Sequence, residues 1–351
     1  MNYARPDIQA MTGYTPGEQP KGTKVIKLNT NENPYPASAK VAEAIGRAAQ
    51  AGLQRYPDAS ASAFRLRAGE VLGVDPNWIL CGNGSDDILT IATRTFVGEN
   101  DAVRYATPSY VLYKTLAEIQ GAVQDVVRYE ADWTLGFEFA APAERLRLAY
   151  LANPNSPSGT VLAPGEVAAI ADALPCPLLV DEAYVDFADA NCLDLVRSNE
   201  RVMVSRTLSK SYALAGLRFG YVVAQPVLIE QMAKVKDSYN CDALSIAGAT
   251  AAIDDQQWLA ENVAKVRATR ARLAAALGEL GFAVTDSQAN FVWAVHPTIA
   301  HEELYLALKE QGVLVRYMRY DHWGDGLRVS VGTDAQIDAL LALLAPMVSR
   351  R

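Results

Sequence analysis

From about residue 40 to residue 240, short runs of apolar residues alternate with longer segments of helical periodicity. This pattern predicts helices at 86–97 and 164–173, and short strands at 75–81, 102–106, 146–151, 177–180, 202–205 and 219–224. Short apolar strands separated by helices are typical of a largely parallel sheet covered on both faces. We therefore predict an α/β doubly wound domain in this part of the chain.

The pattern changes after residue 255, where an alanine- and arginine-rich helix is predicted at 257–280, ended by Gly281. Fewer helices then flank the strands, which fits a smaller α+β domain with strands at 291–295, 312–317 and 327–331 and helices at 302–311 and from Asp334. We expect a large domain at 30–255 and a small domain made of 1–29 and 256–351. The N-terminal segment has little core of its own, so it is expected to pack there or across a dimer contact.

Length and composition restrict the class of protein. A chain of 351 residues suggests about two domains, and 50% hydrophobic with 21% charged residues is ordinary for a globular protein. The net charge of −8 and the pI near 5.1 argue against a nucleic-acid partner. Residues 1–20 contain Asp7 and Glu18 and no apolar run, so no signal peptide is predicted. No stretch approaches the ~18 to 20 apolar residues of a membrane span, so no membrane partner is expected.

The positions of the cysteines and histidines indicate a cellular compartment and argue against a metal site. The four cysteines are widely separated and form no CxxC pair, which favours reduced thiols and a cytoplasmic location. The three histidines, at 296, 301 and 322, have no spacing typical of metal ligands. We therefore predict no metal site.

Lys210 is the leading candidate for covalent chemistry. Thr207 and Ser209 precede it, and Arg218 follows it by eight residues. A lysine can bond to an aldehyde cofactor as a Schiff base, and hydroxyls with an arginine can hold a phosphate. The segment therefore offers both parts of a pyridoxal phosphate (PLP) pocket, although a surface lysine in a polar turn remains open. A serine hydrolase of the penicillin-binding type is disfavoured, because Thr207 replaces the required serine and no SDN or KTG element exists.

A second candidate anion site is the glycine turn at 82–85, which opens the helix predicted at 86–97. Free backbone N–H groups and the helix dipole at Gly84 and Ser85 would bind an anion. A dinucleotide fingerprint would place a third glycine where Asp87 stands, which disfavours a Rossmann dehydrogenase. We expect one phosphate monoester here, while a plain structural turn stays open.

Polar side chains follow two other predicted strands. Asp181 ends the strand at 177–180, and in open α/β sheets ligands bind beyond the carboxyl ends of strands. A carboxylate there can keep a pyridine nitrogen protonated, which makes the ring an electron sink. Tyr184 and Asn153 could both serve the phenolic oxygen of the same ring. A helix-capping Asp and a structural Asn-Pro loop are the competing interpretations.

Together these motifs resemble the fold-type I PLP-dependent aminotransferases. The resemblance rests on the order and spacing of 153–159, 181–184, Ser209–Lys210 and Arg218. Finer details resemble the histidinol-phosphate aminotransferase family within that group, namely 28–36, 55–58, 82–86, 206–210, 215–218 and 327–332. The match covers nearly the whole chain.

The resemblance implies a role for each matching residue. Lys210 would link covalently to PLP and move the proton between the substrate α-carbon and C4′ of the cofactor. Asp181 would hold the pyridinium, Asn153 and Tyr184 the phenolic oxygen, and Tyr110 would stack on the ring. The cofactor phosphate would be bound by Gly84, Ser85, Thr207, Ser209 and Arg218, and by Tyr56 from the second subunit of a homodimer.

The resemblance also implies a substrate. Arg328 would bind the amino acid α-carboxylate, while Arg316 and Tyr14 would meet the phosphate of histidinol phosphate. The implied reaction converts L-histidinol phosphate and 2-oxoglutarate to imidazole-acetol phosphate and L-glutamate, in histidine biosynthesis. Asp87 replaces the glutamate that is commoner after Ser-Asp in this motif, and we expect no effect from it.

Several other functions stay open on the sequence. An aromatic amino acid aminotransferase or a threonine-phosphate decarboxylase would keep both Lys210 and Asp181. Transcription regulators with an aminotransferase-like domain carry a DNA-binding module ahead of that domain. Here the motifs begin near residue 28 and the net charge is acidic, so we expect this chain not to be such a regulator. A catalytically silent binding protein is a further alternative.

Overall fold

A computed structural model of the chain describes residues 3–12, 18 and 25–349. Within these ranges the helices are α1 (Pro6–Ala10), α2 (Ala39–Gln50), α3 (Ser62–Leu72), α4 (Ser85–Phe96), α5 (Leu112–Gln120), α6 (Pro164–Ala173), α7 (Leu195–Ser198), α8 (Pro226–Val235), α9 (Ala243–Asp254), α10 (Gln256–Glu279), α11 (His301–Glu310) and α12 (Asp334–Ser349). The strands are β1 (Ile26–Lys27), β2 (Ile79–Gly82), β3 (Ala102–Thr107), β4 (Val123–Arg128), β5 (Leu146–Ala152), β6 (Leu178–Asp181), β7 (Val202–Thr207), β8 (Gly220–Val223), β9 (Ala283–Val284), β10 (Phe291–Val295), β11 (Val313–Leu314), β12 (Arg316–Tyr320) and β13 (Gly324–Ser330).

A seven-stranded sheet in the order β2-β8-β7-β6-β5-β3-β4 forms the centre of the molecule. Strands β3 to β7 are parallel, while β8 runs antiparallel to both of its neighbours. The prediction of a largely parallel sheet covered by helices is therefore confirmed. The direction of β8 has no signal in the apolar pattern, because a buried strand has the same residue types in either direction.

Alternate residues of the central strands pack on opposite faces of the sheet. Leu179 in β6 packs in the core that also contains residues of α4, α5 and α8. Leu178 and Val180, on either side of it, pack in the core with Phe64 of α3 and Val167 of α6. Because side chains alternate along a strand, a short apolar run is buried completely only when helices cover both faces.

The C-terminal part forms a four-stranded antiparallel sheet in the order β12-β13-β10-β9. Its core combines strand residues with apolar residues of α10, α11 and α12. The single strand predicted at 312–317 is two strands, since β11 pairs with β1 and β12 pairs with β13. We propose the division into 30–255 and 1–29 with 256–351, because this β1–β11 pairing joins the N-terminal segment to the C-terminal unit.

Helix α1 departs from that simple division. It packs against α5 of the large sheet unit, and the Arg5 guanidinium donates to the Ile119 carbonyl at 3.0 Å. The N-terminal segment therefore contacts both units along its length.

Three parallel strands end side by side where the two units meet. Strands β5, β6 and β7 finish at Ala152, Asp181 and Thr207. The predicted site residues at 153–159, 181–184 and 207–210 all follow these ends. This placement is the reason that motifs distant in sequence share one edge of the sheet.

Gly220 is packed so closely that a single methyl group would disturb this edge. A Cβ there would lie 2.5 Å from the Ser85 nitrogen and 2.6 Å from the Gly84 carbonyl carbon, and both are backbone atoms. We expect Gly220→Ala to lower the free energy of unfolding by about 1 to 3 kcal/mol, measured by urea denaturation.

Gly278→Ala in α10 is the matched control, because a Cβ at Gly278 meets nothing within 4 Å. That change should raise stability by up to about 1 kcal/mol, as expected for glycine replaced within a helix. Equal effects of the two substitutions would contradict the close approach at Gly220.

Candidate active site

A cavity of about 740 Å³ opens at the carboxyl ends of β5, β6 and β7. Its walls come from these strand ends, from the beginnings of α4 and α5, from residues 29–32, and from β12 and β13. It brings together ten of the residues singled out from the sequence: Ser85, Tyr110, Asp181, Tyr184, Thr207, Ser209, Lys210, Arg218, Arg316 and Arg328.

Lys210 lies half-buried in the middle of this wall. Its Nζ is 3.4 Å from the Thr30 carbonyl oxygen and 5.7 Å from the centre of the Tyr184 ring. The Asn33 side-chain amide donates to the Lys210 carbonyl at 3.0 Å and fixes the backbone that carries the lysine. The amine is thus directed towards the cavity by backbone contacts.

Asp181 is only 4% exposed, at the end of β6. Its Oδ2 accepts a hydrogen bond from the Tyr113 hydroxyl at 2.8 Å, and its Oδ1 accepts one from Ser205 Oγ at 3.3 Å. Burial raises the pKa of Asp181 to about 6, since its hydrogen bonds offset only part of the cost of desolvation. A cation placed in the cavity beside this carboxylate would favour its charged form.

Tyr113 is held rigidly against that carboxylate. Its ring stacks on Tyr150 with centroids 4.9 Å apart and planes 6° apart, and the Tyr150 hydroxyl lies 2.6 Å from Thr93 Oγ1. Burial and the neighbouring Asp181 raise the pKa of Tyr113 well above its usual value. Tyr113 therefore stays a neutral hydrogen-bond donor to Asp181.

The N-terminus of α4 and Arg218 could together bind an anion in this cavity. Gly84 has φ +85° and precedes the first helical residue, Ser85, whose helix exposes free backbone N–H groups. Arg218 Nη2 lies 3.3 Å from Asp86 Oδ2, and Arg218 Nη1 lies 3.4 Å from Ser209 Oγ. The φ of +85° favours glycine at position 84, and a Cβ there would also displace Arg218, whose Nη2 would lie 2.7 Å away.

Tyr110 contacts the Asp86 carboxylate beside this candidate anion site. Its hydroxyl donates to Asp86 Oδ1 at 2.9 Å, while Arg218 holds the other oxygen of that carboxylate. Tyr110 also meets Tyr113 edge to face, at 5.7 Å between centroids and 89° between planes. One side chain, Asp86, thus positions both the aromatic ring and the arginine.

Arg316 and Arg328 provide two positive charges on the side of the four-stranded sheet. They are direct cross-strand partners in the pairing of β12 with β13, so their side chains leave the same face. Arg328 donates to Ser156 Oγ at 2.9 Å and to the Asn29 carbonyl at 3.2 Å. The cavity wall therefore carries Lys210, the Arg218 guanidinium beside the start of α4, and a further pair of positive charges at Arg316 and Arg328.

Buried polar atoms without a partner also occur in this wall. Asn29 Oδ1 and Thr30 Oγ1 have no hydrogen-bond partner in the part of the chain that the structure describes. Both residues line the cavity. Because buried polar groups are almost always paired, these atoms are candidates for contact with a bound molecule.

Apart from Gly84, which directly precedes the lining residue Ser85, two described site residues are not in the cavity wall, and a third is not among the described residues. Asn153 is not among the described residues that line the cavity, and its amide bonds the backbone of Leu162 through Nδ2 (3.0 Å) and Oδ1 (2.8 Å). Tyr56 is 80% exposed and stacks on Tyr239, with centroids 4.5 Å apart. Tyr14 lies outside the described residues.

Two site residues were not found from the sequence. Ser156 lines the cavity and belongs to the same loop as Asn153. The sequence of this loop does not indicate which of its polar side chains faces the cavity. Tyr113 lies in the first turn of α5, three residues after Tyr110, which precedes the helix, and no motif in the sequence shows that its hydroxyl reaches Asp181.

These groups fit pyridoxal phosphate. Lys210 offers an amine for the aldehyde, and Asp181 offers a buried carboxylate that a neighbouring cation would keep charged. The start of α4 after Gly84, together with Arg218, offers donors for the phosphate.

Among the described residues, no group of three or more histidine, cysteine or acidic side chains could hold a metal ion. Within the same residues, no helix combines the length and the apolar character needed to cross a bilayer. All four cysteines are free and buried.

The chain belongs to the aminotransferase class I and II family, whose sequence profile matches residues 23–344. The family predicted from the motifs is thereby confirmed, and so are its fold and its PLP-dependent class of chemistry.

The similar proteins narrow the comparison further. The chain is 54% identical to a histidinol-phosphate aminotransferase of Rhodopirellula baltica, over 97% of this chain and 94% of that protein. It is 45% identical to histidinol-phosphate aminotransferase 1 of a Nostoc species, over 100% and 99% of the two chains. Its fold resembles the crystal structure of histidinol-phosphate aminotransferase from Sinorhizobium meliloti in complex with pyridoxal-5'-phosphate, with a TM-score of 0.89 and 26% identity over 100% and 98% of the chains.

Burial of the Asp181 carboxyl should make the free energy of unfolding depend on pH. Its folded-state pKa is about 6 instead of the ordinary 3.8, so the native protein without cofactor binds this proton more tightly than the unfolded chain does. Stability therefore falls as the pH rises from about 4 through about 6. We expect Asp181→Asn to stabilise the cofactor-free protein at pH 7.5 by about 2 to 3 kcal/mol, measured by urea denaturation.

The gain should disappear below pH 4, where Asp181 is protonated in both states. Asp194→Asn is the control, because the Asp194 side chain is 93% exposed and its substitution should change little at either pH. A gain from Asp181→Asn that does not depend on pH would contradict the assignment to its charge.

Proposed function

We propose that this aminotransferase uses PLP to convert L-histidinol phosphate and 2-oxoglutarate to imidazole-acetol phosphate and L-glutamate, in histidine biosynthesis. The pair of arginines at 316 and 328, facing the cavity from neighbouring strands, is the observation that carries the choice of substrate. The names of the relatives at 54% and 45% identity agree with it.

PLP supplies a protonated aromatic ring that withdraws electrons from the substrate α-carbon. Asp181 is suited to hold the ring nitrogen, because a buried carboxylate gains most from a neighbouring positive charge. Tyr110 would lie on the ring. The phosphate would be bound by Gly84, Ser85, Thr207, Ser209 and Arg218.

Lys210 would attach the cofactor and afterwards act as the acid–base group. Its Nζ lies in the cavity wall, 3.4 Å from the Thr30 carbonyl oxygen and 5.7 Å from the centre of the Tyr184 ring. This amine would be the group that holds the aldehyde of the cofactor, and as an acid–base group it would move the proton at the substrate α-carbon and at C4′. Tyr184 would bind the phenolic oxygen. Asn153, predicted for the same atom, donates from Nδ2 to the Leu162 carbonyl at 3.0 Å and to Cys192 Sγ at 3.6 Å, so it would exchange the weaker of these contacts to reach that oxygen.

The two arginines have a chemical reason to act together. In histidinol phosphate a phosphate ester on a methylene group takes the place of the α-carboxylate of an amino acid. A dianionic phosphate can use both guanidinium groups, whereas the smaller carboxylate of glutamate needs only Arg328. Ser156 would keep Arg328 in place, through the hydrogen bond of 2.9 Å.

The assembly and the location belong to the same proposal. Tyr56 and Tyr239 form an exposed stacked pair, and Leu53 nearby in sequence is also exposed. Apolar surface of this kind favours a contact with a second copy of the chain. We propose a cytoplasmic homodimer in which Tyr56 reaches the cofactor phosphate of the partner subunit and Tyr14 lines the substrate end.

The assignment of Lys210 can be tested with the cofactor itself. Lys210→Ala should abolish transamination of histidinol phosphate and remove the visible absorbance that borohydride bleaches in the wild-type holoenzyme. Lys234→Ala is the control, because Lys234 is exposed on α8, donates to Gln231 Oε1 at 2.8 Å and is not among the described residues that line the cavity. It should keep the absorbance and its sensitivity to borohydride. Transamination by the Lys210→Ala protein would contradict the assignment.

The substrate can be tested at Arg316. We expect Arg316→Gln to lower kcat/KM for histidinol phosphate by about 10- to 100-fold, the effect of losing one or two charge-assisted hydrogen bonds, and to affect phenylalanine much less. Steady-state kinetics with histidinol phosphate, phenylalanine and threonine phosphate would provide the comparison.

The matched control is Arg147→Gln, because Arg147 is 60% exposed and pairs with Asp101, far from the strand ends of the cavity. It should leave all three values unchanged. A wild-type preference for phenylalanine or threonine phosphate would favour one of the alternative activities. Equal losses for every substrate in Arg316→Gln would argue against a phosphate contact at this residue.

A further inference from the structure

Asn31 makes a hydrogen bond that the proposed roles do not use. Its Nδ2 lies 3.0 Å from the hydroxyl oxygen of Tyr184, across 153 residues of sequence. Asn31 is 1% exposed and lines the cavity beside Lys210 and Tyr184. A buried amide between two parts of the molecule can orient the group it contacts.

The orientation of the Asn31 amide is fixed by Ser330. The Ser330 hydroxyl accepts the Asn31 backbone N–H at 2.8 Å, so its own proton is available to Asn31 Oδ1, 3.0 Å away. Because Oδ1 is the acceptor in that pair, the other end of the amide must be the NH₂ group. The Tyr184 oxygen therefore accepts a hydrogen bond from Asn31.

This contact decides where the Tyr184 proton can point. A phenol has one O–H, and an oxygen that already accepts from Asn31 must direct its own proton elsewhere. The Tyr184 ring is itself fixed edge to face on Phe291, with centroids 5.0 Å apart and planes 87° apart. The hydroxyl can consequently turn only about its own bond, and Asn31 biases that rotation towards the cavity.

Asn31 is held in place by the four-stranded sheet and its neighbouring turn. Its carbonyl accepts from the Asn290 amide at 2.9 Å, and its φ of 55° lies in the left-handed region. Ser330, which fixes the amide, stands two residues after Arg328 in β13, so both side chains leave the same face of that strand. The strand that carries Arg328 thus also fixes Asn31.

We propose that Asn31 is a positioning residue that makes Tyr184 a hydrogen-bond donor to the phenolic oxygen of bound PLP. The inference rests on the proposed contact between Tyr184 and that oxygen. A donor there stabilises negative charge on the oxygen, which weakens proton binding at the neighbouring nitrogen that links PLP to Lys210. Asn31 therefore helps to set the pH at which the bound cofactor changes colour.

The test is a pH titration of the visible absorbance of the holoenzyme. Asn31→Gly removes the amide and suits a positive φ, so it avoids the backbone strain of other substitutions. We expect it to raise the midpoint by about half to one pH unit, the effect of weakening one hydrogen bond. In a protein that already carries Tyr184→Phe, Asn31→Gly should produce no further shift.

Asn100→Gly is the matched control. Asn100 has φ 62° and is exposed in the turn before β3, so the same chemical change occurs there in the same backbone conformation. Its midpoint should equal that of the wild type. Ser330→Ala provides a second variant if Asn31→Gly does not fold, and it should move the midpoint in the same direction by a smaller amount.

The outcomes separate this inference from the proposed function. If Tyr184→Phe alone leaves the midpoint unchanged, the contact between Tyr184 and the cofactor is wrong. If Tyr184→Phe raises the midpoint while Asn31→Gly and Ser330→Ala do not, only the role of Asn31 is overturned. An additive shift in the double variant would also overturn it, because Asn31 would then act by another route.

Discussion

Burial of a carboxylate at the end of β6 is the constraint on which the rest of the site depends. Asp181 is almost without solvent, and its pKa of about 6 measures how poorly the interior tolerates its charge when no cation is present. The surrounding structure limits that cost with two neutral donors, Tyr113 and Ser205. Neutral donors leave the charge itself unbalanced, and a pyridinium bound as proposed would supply the missing positive charge. Asp181 is therefore an acid in the core whose charged form the proposed cofactor would stabilise further.

Much of this site follows from the sequence because parallel strands share a carboxyl edge. Asp181, Lys210 and the turn at Gly84 each follow a short apolar strand, and the topology then places them around one cavity. The positions of residues at strand ends are therefore well predicted by periodicity and motif order. The family resemblance added the assignment of each group to a part of the cofactor.

Side-chain direction within a loop is where such prediction fails. Asn153 and Ser156 are three residues apart in one loop, yet the asparagine bonds the Leu162 backbone while the serine meets Arg328. Which of them faces the cavity depends on backbone dihedral angles that the residue types do not determine. The direction of β8 and the division of 312–317 into two strands escaped prediction for a related reason, since pairing partners lie far away in the sequence.

Tertiary hydrogen bonds, and not the motif itself, show what the residues of segment 28–33 contact. Its backbone and amides reach Ser330, Tyr184 and the Lys210 carbonyl, which belong to three different elements. A sequence pattern can indicate that such a stretch is special. Only the hydrogen bonds identify which groups it orients, because each bond spans more than 150 residues.

The candidate anion site at Gly84 and Arg218 has a consequence for the folding stability of the protein and its resistance to proteolysis. Asp86 and Arg218, which form an ion pair there, are 132 residues apart along the chain, and a phosphate bound as proposed would stabilise this long-range contact. A molecule that binds only the native chain shifts the folding equilibrium by mass action. The fraction of this aminotransferase that escapes proteolysis should therefore follow the supply of its vitamin-derived cofactor, and newly made chains would mature fastest where that supply is ample.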